Sequence, residues 1–161
     1  MYRIIMIDEN IKTLIGWWKL KGQKERDPFI RFFFFYVCFD AWVTAESGED
    51  VDQKKLRWFL DNENCLKSER MGFWTSSKTQ SWLNNLKNLS PIEDMRPNHR
   101  GELTNLTDVN NLEEIILFIY QIRCNLFHGS KDPMNNRDAS LVELSGKLLE
   151  KWIVWAHHKC L

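Results

Sequence analysis

The sequence predicts an all-α domain, an antiparallel helical bundle of four to six helices, and three observations carry that expectation. Seven glycines and four prolines in 161 residues fall below the usual ~7% and ~5%, too few to turn a sheet of many short strands. Several long segments repeat their apolar residues at helical spacing. The ends of those segments carry helix start and stop residues. Eight Trp and ten Phe, each able to bury ~150–250 Å², can fill a core with few elements. Neither an internal repeat nor a low-complexity linker divides the chain, so residues 1–161 are expected to form one domain.

Taken in order, residues 9–20 (ENIKTLIGWWKL) predict a short amphipathic helix ending near Gly22, and residues 1–26 read as a helical extension. Asp27-Pro28 then opens a stronger helix, with Asp as N-cap and Pro at the first helical position. It runs to about Ser47-Gly48, with Phe29, Phe32, Phe33, Tyr36, Phe39 and Val43 on one face. Phe34, Phe35 and Trp42 add apolar surface off that stripe, which predicts a central, mostly buried helix and leaves Trp42 as material for an interface. Asp52 to Asn62 predicts a third helix with Leu56, Phe59 and Leu60 inward.

Residues 63–109 carry weaker signals. SWLNNLKNL (81–89) places Trp82, Leu83, Leu86 and Leu89 at helical spacing, and Pro91, Pro97 and Gly101 then mark a long loop over residues 90–109. A loop of that length is unusual in a compact bundle. The next helix starts near Asn110 with Glu113 as capping-box partner, and stops at Gly129, a left-handed C-cap followed by Pro133. The last starts after Asp138 and shows the stripe Leu141, Leu144, Leu148, Trp152, Trp155.

Lys+Arg and Asp+Glu are both 22, a formal net charge of zero, which gives no support to a protein that coats nucleic acid through a basic excess. The distribution is uneven: residues 1–31 carry seven positive and four negative charges, residues 39–63 three and seven. Cys38, Cys65, Cys124 and Cys160 form no C-x-x-C pair, which excludes a zinc ribbon or a thioredoxin-like motif. The run FFFFYVCF (32–39) is bracketed by Arg31 and Asp40, whereas a membrane span needs ~20 apolar residues. The expectation is a soluble, cytoplasmic, reduced protein with no membrane contact, no metal and no cofactor.

Two charges stand out. On a helical wheel of residues 112–128, Leu112, Ile115, Ile116, Ile119, Ile122, Leu126 and Phe127 cluster on one side, with Arg123 in their midst. The same construction puts Asp40 among Phe29, Phe33, Tyr36 and Val43. A charge in a core stripe is costly unless it is paired, so Asp40 and Arg123 are expected to meet or to share one polar pocket. That pair either sets helix register and nothing more, or belongs to a site. His128, five residues after Arg123 and just before Gly129, either caps the helix dipole or supplies a group titrating near neutrality. Asn125 lies between them.

The string I122-R123-C124-N125-L126-F127-H128-G129-S130-K131 resembles the R-x-x-x-x-H signature of the HEPN superfamily, late in a long helix of an α-helical bundle. The RCNLFHG-K pattern and the aromatic-rich early helix RFFFFYVCFDAW are similar to its Apea-like branch. The resemblance covers residues 28–48 and 110–156. It implies a metal-independent endoribonuclease working as a homodimer in a toxin–antitoxin or phage-defence setting, with a cognate antitoxin protein as partner, or a non-catalytic module that binds RNA, a nucleotide or a protein. Carried over, Arg123 clamps phosphate, His128 moves protons in attack by the ribose 2′-OH, Asn125 positions one of these groups, and Asp40 is a supporting carboxylate. Many members keep a polar residue directly after the arginine, where this chain has Cys124.

Other groupings have simpler readings. His157-His158 with Cys160 lacks a spaced carboxylate for tetrahedral metal ligation, and His99 sits in the Pro97–Gly101 loop. Trp17-Trp18 with Lys19, Lys21, Lys24 and Arg26 forms either a solvated helix end or an aromatic-basic RNA platform. No Gly-rich phosphate loop, G-x-S-x-G elbow or H-E-x-x-H appears in the sequence.

Overall fold

In the computed structural model, which describes residues 7–62, 74–129 and 131–159, the helical bundle is present. Six helices are found among the described residues: α1 (Glu9–Lys24), α2 (Pro28–Ser47), α3 (Asp52–Asn62), α4 (Ser77–Asn88), α5 (Leu112–Phe127) and α6 (Asn136–Lys159). A ladder of β1 (Ile92–Glu93) and β2 (Leu103–Thr104) pairs antiparallel between α4 and α5, with Ile92 opposite Thr104 and Glu93 opposite Leu103.

Local chemistry sets the boundaries. The Asp27 carboxylate accepts from the backbone N–H of Phe29 and of Ile30, which fixes the start of α2 as Asp-Pro predicts. Ser76 caps α4, which therefore starts four residues before the apolar repeat at 81. Asn111 rather than Asn110 caps α5, accepting from Glu113 and Glu114. Asn135 caps α6 through Arg137 and Asp138, ahead of the expected start. Gly129 ends α5 with φ of +69°, the left-handed conformation that glycine adopts without a Cβ clash.

α2 is the hub, packing most extensively against α6 and α1 and then α3. By length and composition it would be able to cross a bilayer. Here it is wrapped by the bundle, with Phe32, Phe35, Tyr36, Cys38, Phe39, Trp42 and Val43 buried. Its bracketing charges are both paired, Arg31 with Glu150 and Asp40 with Lys55. The single-stripe wheel is corrected at three positions, one of them Phe35, which is fully buried although off the stripe. Trp42 is fully buried, so it is core rather than interface, and Phe33 is exposed. With neighbours on three sides, α2 buries a wider arc than one stripe.

The densest packing is aromatic. The Trp152 ring of α6 lies between 5.2 and 6.1 Å, centroid to centroid, from Phe39, Trp42, Phe59 and Trp74. Truncating such a residue costs about 3–5 kcal/mol. The stretch read as an extension is part of this body: Ile15 of α1 is fully buried, and a Cβ on Gly22 would come 2.9 Å from the Phe35 ring. Absence of a side chain at Gly22 is what lets α1 close on α2.

Candidate functional site

The end of α5 carries Arg123 and His128, and α5 has two polar faces that differ in kind. On the first, Arg123 Nη1 donates to Asp52 Oδ2 at 3.1 Å. Lys55 bridges Asp52 at 3.1 Å and Asp40 at 2.6 Å. The charges thus run Arg123–Asp52–Lys55–Asp40. Of the two arrangements expected for Asp40 and Arg123, a direct meeting is not found, and the two share one polar network instead. Asp52 in the first turn of α3 takes the arginine, and Asp40 is one step removed, holding Lys55.

Burial works against the Lys55 charge, but hydrogen bonds and attraction from Asp40 and Asp52 hold its pKa above the ordinary value. Burial likewise opposes the Arg123 charge, but electrostatic attraction, that of Asp52 included, outweighs it and leaves a net upward shift. Both groups stay cationic throughout the physiological range.

Arg123 is held in an aromatic collar. Its guanidinium carbon lies 4.8 Å from the Phe127 ring centroid, 5.5 Å from Tyr36 and 6.0 Å from Tyr120, within cation–π range. Phe127 is braced edge-on by Phe33, which explains why Phe33 points outward. The Tyr36 hydroxyl is pushed well above its ordinary pKa, chiefly by burial, so it stays neutral. Arg123 Nε is buried with no partner, while the side chain keeps 26% of its surface exposed. The buried Nε is out of reach of solvent, but the exposed quarter of this stacked cation leaves it able to meet an anion.

His128 is exposed at the C-cap, its backbone N–H donating to the Cys124 carbonyl at 3.1 Å. Among the described residues no hydrogen bond or ion pair engages its ring. Five residues rotate about 140° on an ideal helix, so His128 points to a different side of α5 from Arg123, one turn further along. Arg123, partly exposed, and His128, exposed, both reach solvent at this end of α5.

Asn125 is on the opposite face, and its expected role beside Arg123 is corrected. It is fully buried. Its Oδ1 accepts from Gln121 Nε2 at 3.0 Å and from the Met95 N–H at 3.1 Å, and its Nδ2 donates to the Glu93 carbonyl at 2.8 Å. Asn125 is the pin that fastens the 90–109 segment to α5. Close by, Arg96 Nε donates to both oxygens of buried Asp94 at 3.0 Å, a chelating pair that lowers the Asp94 pKa to about 2. The long loop is therefore an anchored, ordered element.

Several groups here carried no readable sequence signal. Asp52 and Lys55 looked like an ordinary helix surface, and Asp94–Arg96 lies in a stretch without periodicity. Gln121 and Asn125 did carry one: two amides four residues apart on one face of a helix rich in apolar residues. Elsewhere, Cys38 is inert, its thiol donating to the Ile15 carbonyl at 3.5 Å and its pKa pushed up to about 12 by burial. His157 Nδ1 accepts from Lys19 Nζ at 3.2 Å, and Cys160 and Cys65 lie outside the described residues. Trp17 is exposed, and Trp18 packs on Phe34. Ligand atoms of Asp94, His99 and Glu102 lie within 4.8 Å of one another. Both Asp94 oxygens already serve Arg96, though, and a guanidinium beside the same carboxylate repels a cation.

Comparisons with protein-family models, with curated proteins and with solved structures found no match to the chain.

Proposed function

We propose that the chain is an endoribonuclease of the HEPN type, acting in the cytoplasm as a homodimer without a metal, in toxin–antitoxin or phage defence and with a cognate antitoxin as partner. The observation that carries this reading is the end of α5: a collared, partly exposed Arg123 with an unsatisfied Nε, and an unencumbered His128 at the C-cap. Arginine suits a phosphate in two-point contact. Histidine is the group for proton transfer near neutral pH.

In the step proposed, the ribose 2′-oxygen gives its proton to an imidazole and attacks phosphorus. The bond from phosphorus to the 5′-oxygen breaks, and that oxygen takes a proton from an imidazolium. The products are a 2′,3′-cyclic phosphate and a 5′-hydroxyl. One His128 cannot be base and acid in one concerted turnover, so a second copy related by a two-fold axis supplies the other imidazole. Arg123 stabilises the charge that develops on the non-bridging oxygens. Exposed Phe33 and Phe127 lie on the Arg123 side of the fold and give such an interface apolar surface.

A second reading, a module that binds RNA, a nucleotide or a protein without cutting, is favoured by one feature, the Arg123–Asp52 ion pair, which engages part of the guanidinium. Incubating an RNA pool in EDTA with wild-type protein and with His128→Ala separates the two. The nuclease reading expects cyclic-phosphate ends that vanish in the variant. A folded dimer that leaves the pool intact while retaining it on a filter supports the second reading.

A further inference from the structure

A cavity of about 900 Å³ opens between α3, the β1–β2 ladder and the Leu117–Tyr120–Gln121 side of α5. That volume is in the range of sites that take small organic ligands. Its walls are of two kinds. Trp58, Leu60, Leu117 and Tyr120 offer flat or apolar surface, and Gln121, Thr104 and Asn105 offer amide and hydroxyl groups between them.

The charge in the cavity argues against a phosphate inside it. Lys54, Arg57 and Arg96 face five acidic groups, Glu49, Asp61, Asp94, Glu102 and Glu114. Arg96 is also spoken for by Asp94, and Arg57 by Glu113 at 3.0 Å. What this surface recognises is a planar, uncharged ring system carrying N–H donors: aromatic and aliphatic walls to stack on, carbonyls and carboxylates to accept.

Position ties the cavity to the Arg123 end. Tyr120 is a wall of the cavity and also one of the three rings of the Arg123 collar, at 6.0 Å. One side chain therefore separates the guanidinium from the cavity. A nucleotide bound through its phosphate at Arg123 would need to extend only past Tyr120 for its base to enter.

We infer that this cavity between α3 and the β1–β2 ladder is a nucleobase subsite, taking an unpaired base of an RNA strand whose adjacent phosphate lies on Arg123. The strand link rests on the ribonuclease reading above. The chemistry of the lining rests on the cavity alone. Asp94, Glu102 and Glu114 already accept from or pair with Arg96, His99 and the Thr107–Asp108 turn, but carboxylates keep further lone pairs. Bases with an exocyclic amino group, adenine and cytosine, therefore bind better than uracil, which presents two carbonyls and one N–H on its pairing edge.

The test uses nucleosides, which carry no phosphate and so do not depend on Arg123. Adenosine, cytidine and uridine are titrated into the full chain and binding is read by saturation-transfer NMR. Two variants close the cavity at exposed positions. Asn105→Trp plugs its rim, and Leu117→Asp puts a further carboxylate on an apolar wall. Adenosine and cytidine are expected to bind at least threefold more tightly than uridine, with a loss of tenfold or more in both variants. Equal binding to wild type and both variants, or no nucleoside binding by folded wild-type protein, overturns the subsite. The two readings fail separately. A chain that does not cut RNA but loses adenosine in Asn105→Trp keeps the subsite and drops the nuclease. A chain that cuts at the same positions and rate with and without Asn105→Trp, and binds no nucleoside, does the reverse.

Discussion

The two polar faces of α5 are built from similar side chains and reach opposite ends. At Asn125 both ends of the amide are used: three hydrogen bonds, full burial and a fixed loop. At Arg123 the guanidinium has one carboxylate partner, three rings, an unsatisfied Nε and solvent at its edge. A satisfied buried group specifies structure and has nothing left to give a ligand. A group held firmly but incompletely satisfied is pre-organised for something else. Saturation, more than polarity or burial, separates the two faces.

The largest effect that could break this comparison is on turnover. Replacing Arg123 or His128 by Ala is expected to lower RNA cleavage by about 10²–10⁴-fold, read by gel from initial rates in EDTA. His128→Ala should lose little stability, because that ring is exposed and makes no bond among the described residues. Arg123→Ala also loses the Asp52 pair and three ring contacts and should cost about 1–3 kcal/mol. The reverse pattern is expected at Asn125. Asn125→Ala strands the Met95 N–H and the Glu93 carbonyl, costing about 2 kcal/mol or more in urea denaturation, while the folded fraction keeps its cleavage rate.

Acid sharpens the same contrast. Arg96 holds the Asp94 carboxyl at about 2 against an ordinary 3.8. A depressed carboxylate contributes stability above its unfolded value and loses it as pH falls through the folded one. Wild-type stability should therefore drop between about pH 4 and pH 2, by on the order of 2 kcal/mol from this group. Asp94→Asn should remove that part of the slope and lower stability at neutral pH. The smallest effect concerns Asp52. Its pair with Arg123 is about a quarter to a third exposed on each side, a setting where ion pairs are worth ~0.2–1 kcal/mol. Asp52→Asn should tighten RNA binding by roughly two- to fivefold, measured by filter binding at fixed salt.

The sequence made the helices legible because their signals are local. Asp27-Pro28 and Gly129 act within a turn, and the apolar repeat of α6 needs no knowledge of its neighbours. Arg123 was legible for the same reason, as a charge surrounded by apolar residues on its own helix. Its partner was not, because Asp52 lies 71 residues away at the start of a helix whose orientation only the tertiary packing determines. Asp40 was a reasonable alternative that Lys55 took instead. Asn125 was misread because its nearness to Arg123 and His128 along the chain outweighed its position on the wheel, about 200° from Arg123. The anchored 90–109 loop was illegible for a further reason: its order comes from single hydrogen bonds to α5 and an Asp94–Arg96 pair, none of which leaves a periodic trace.

The most direct test measures cleavage and stability together in three variants, Arg123→Ala, His128→Ala and Asn125→Ala. Rates are normalised to the folded fraction, and the RNA ends are analysed for 2′,3′-cyclic phosphate. The account predicts loss of cutting per folded molecule in the first two, with His128→Ala at near wild-type stability, and in the third a marked loss of stability with a wild-type rate per folded molecule. Wild-type cutting that persists in His128→Ala and Arg123→Ala, or that disappears in folded Asn125→Ala, would contradict it.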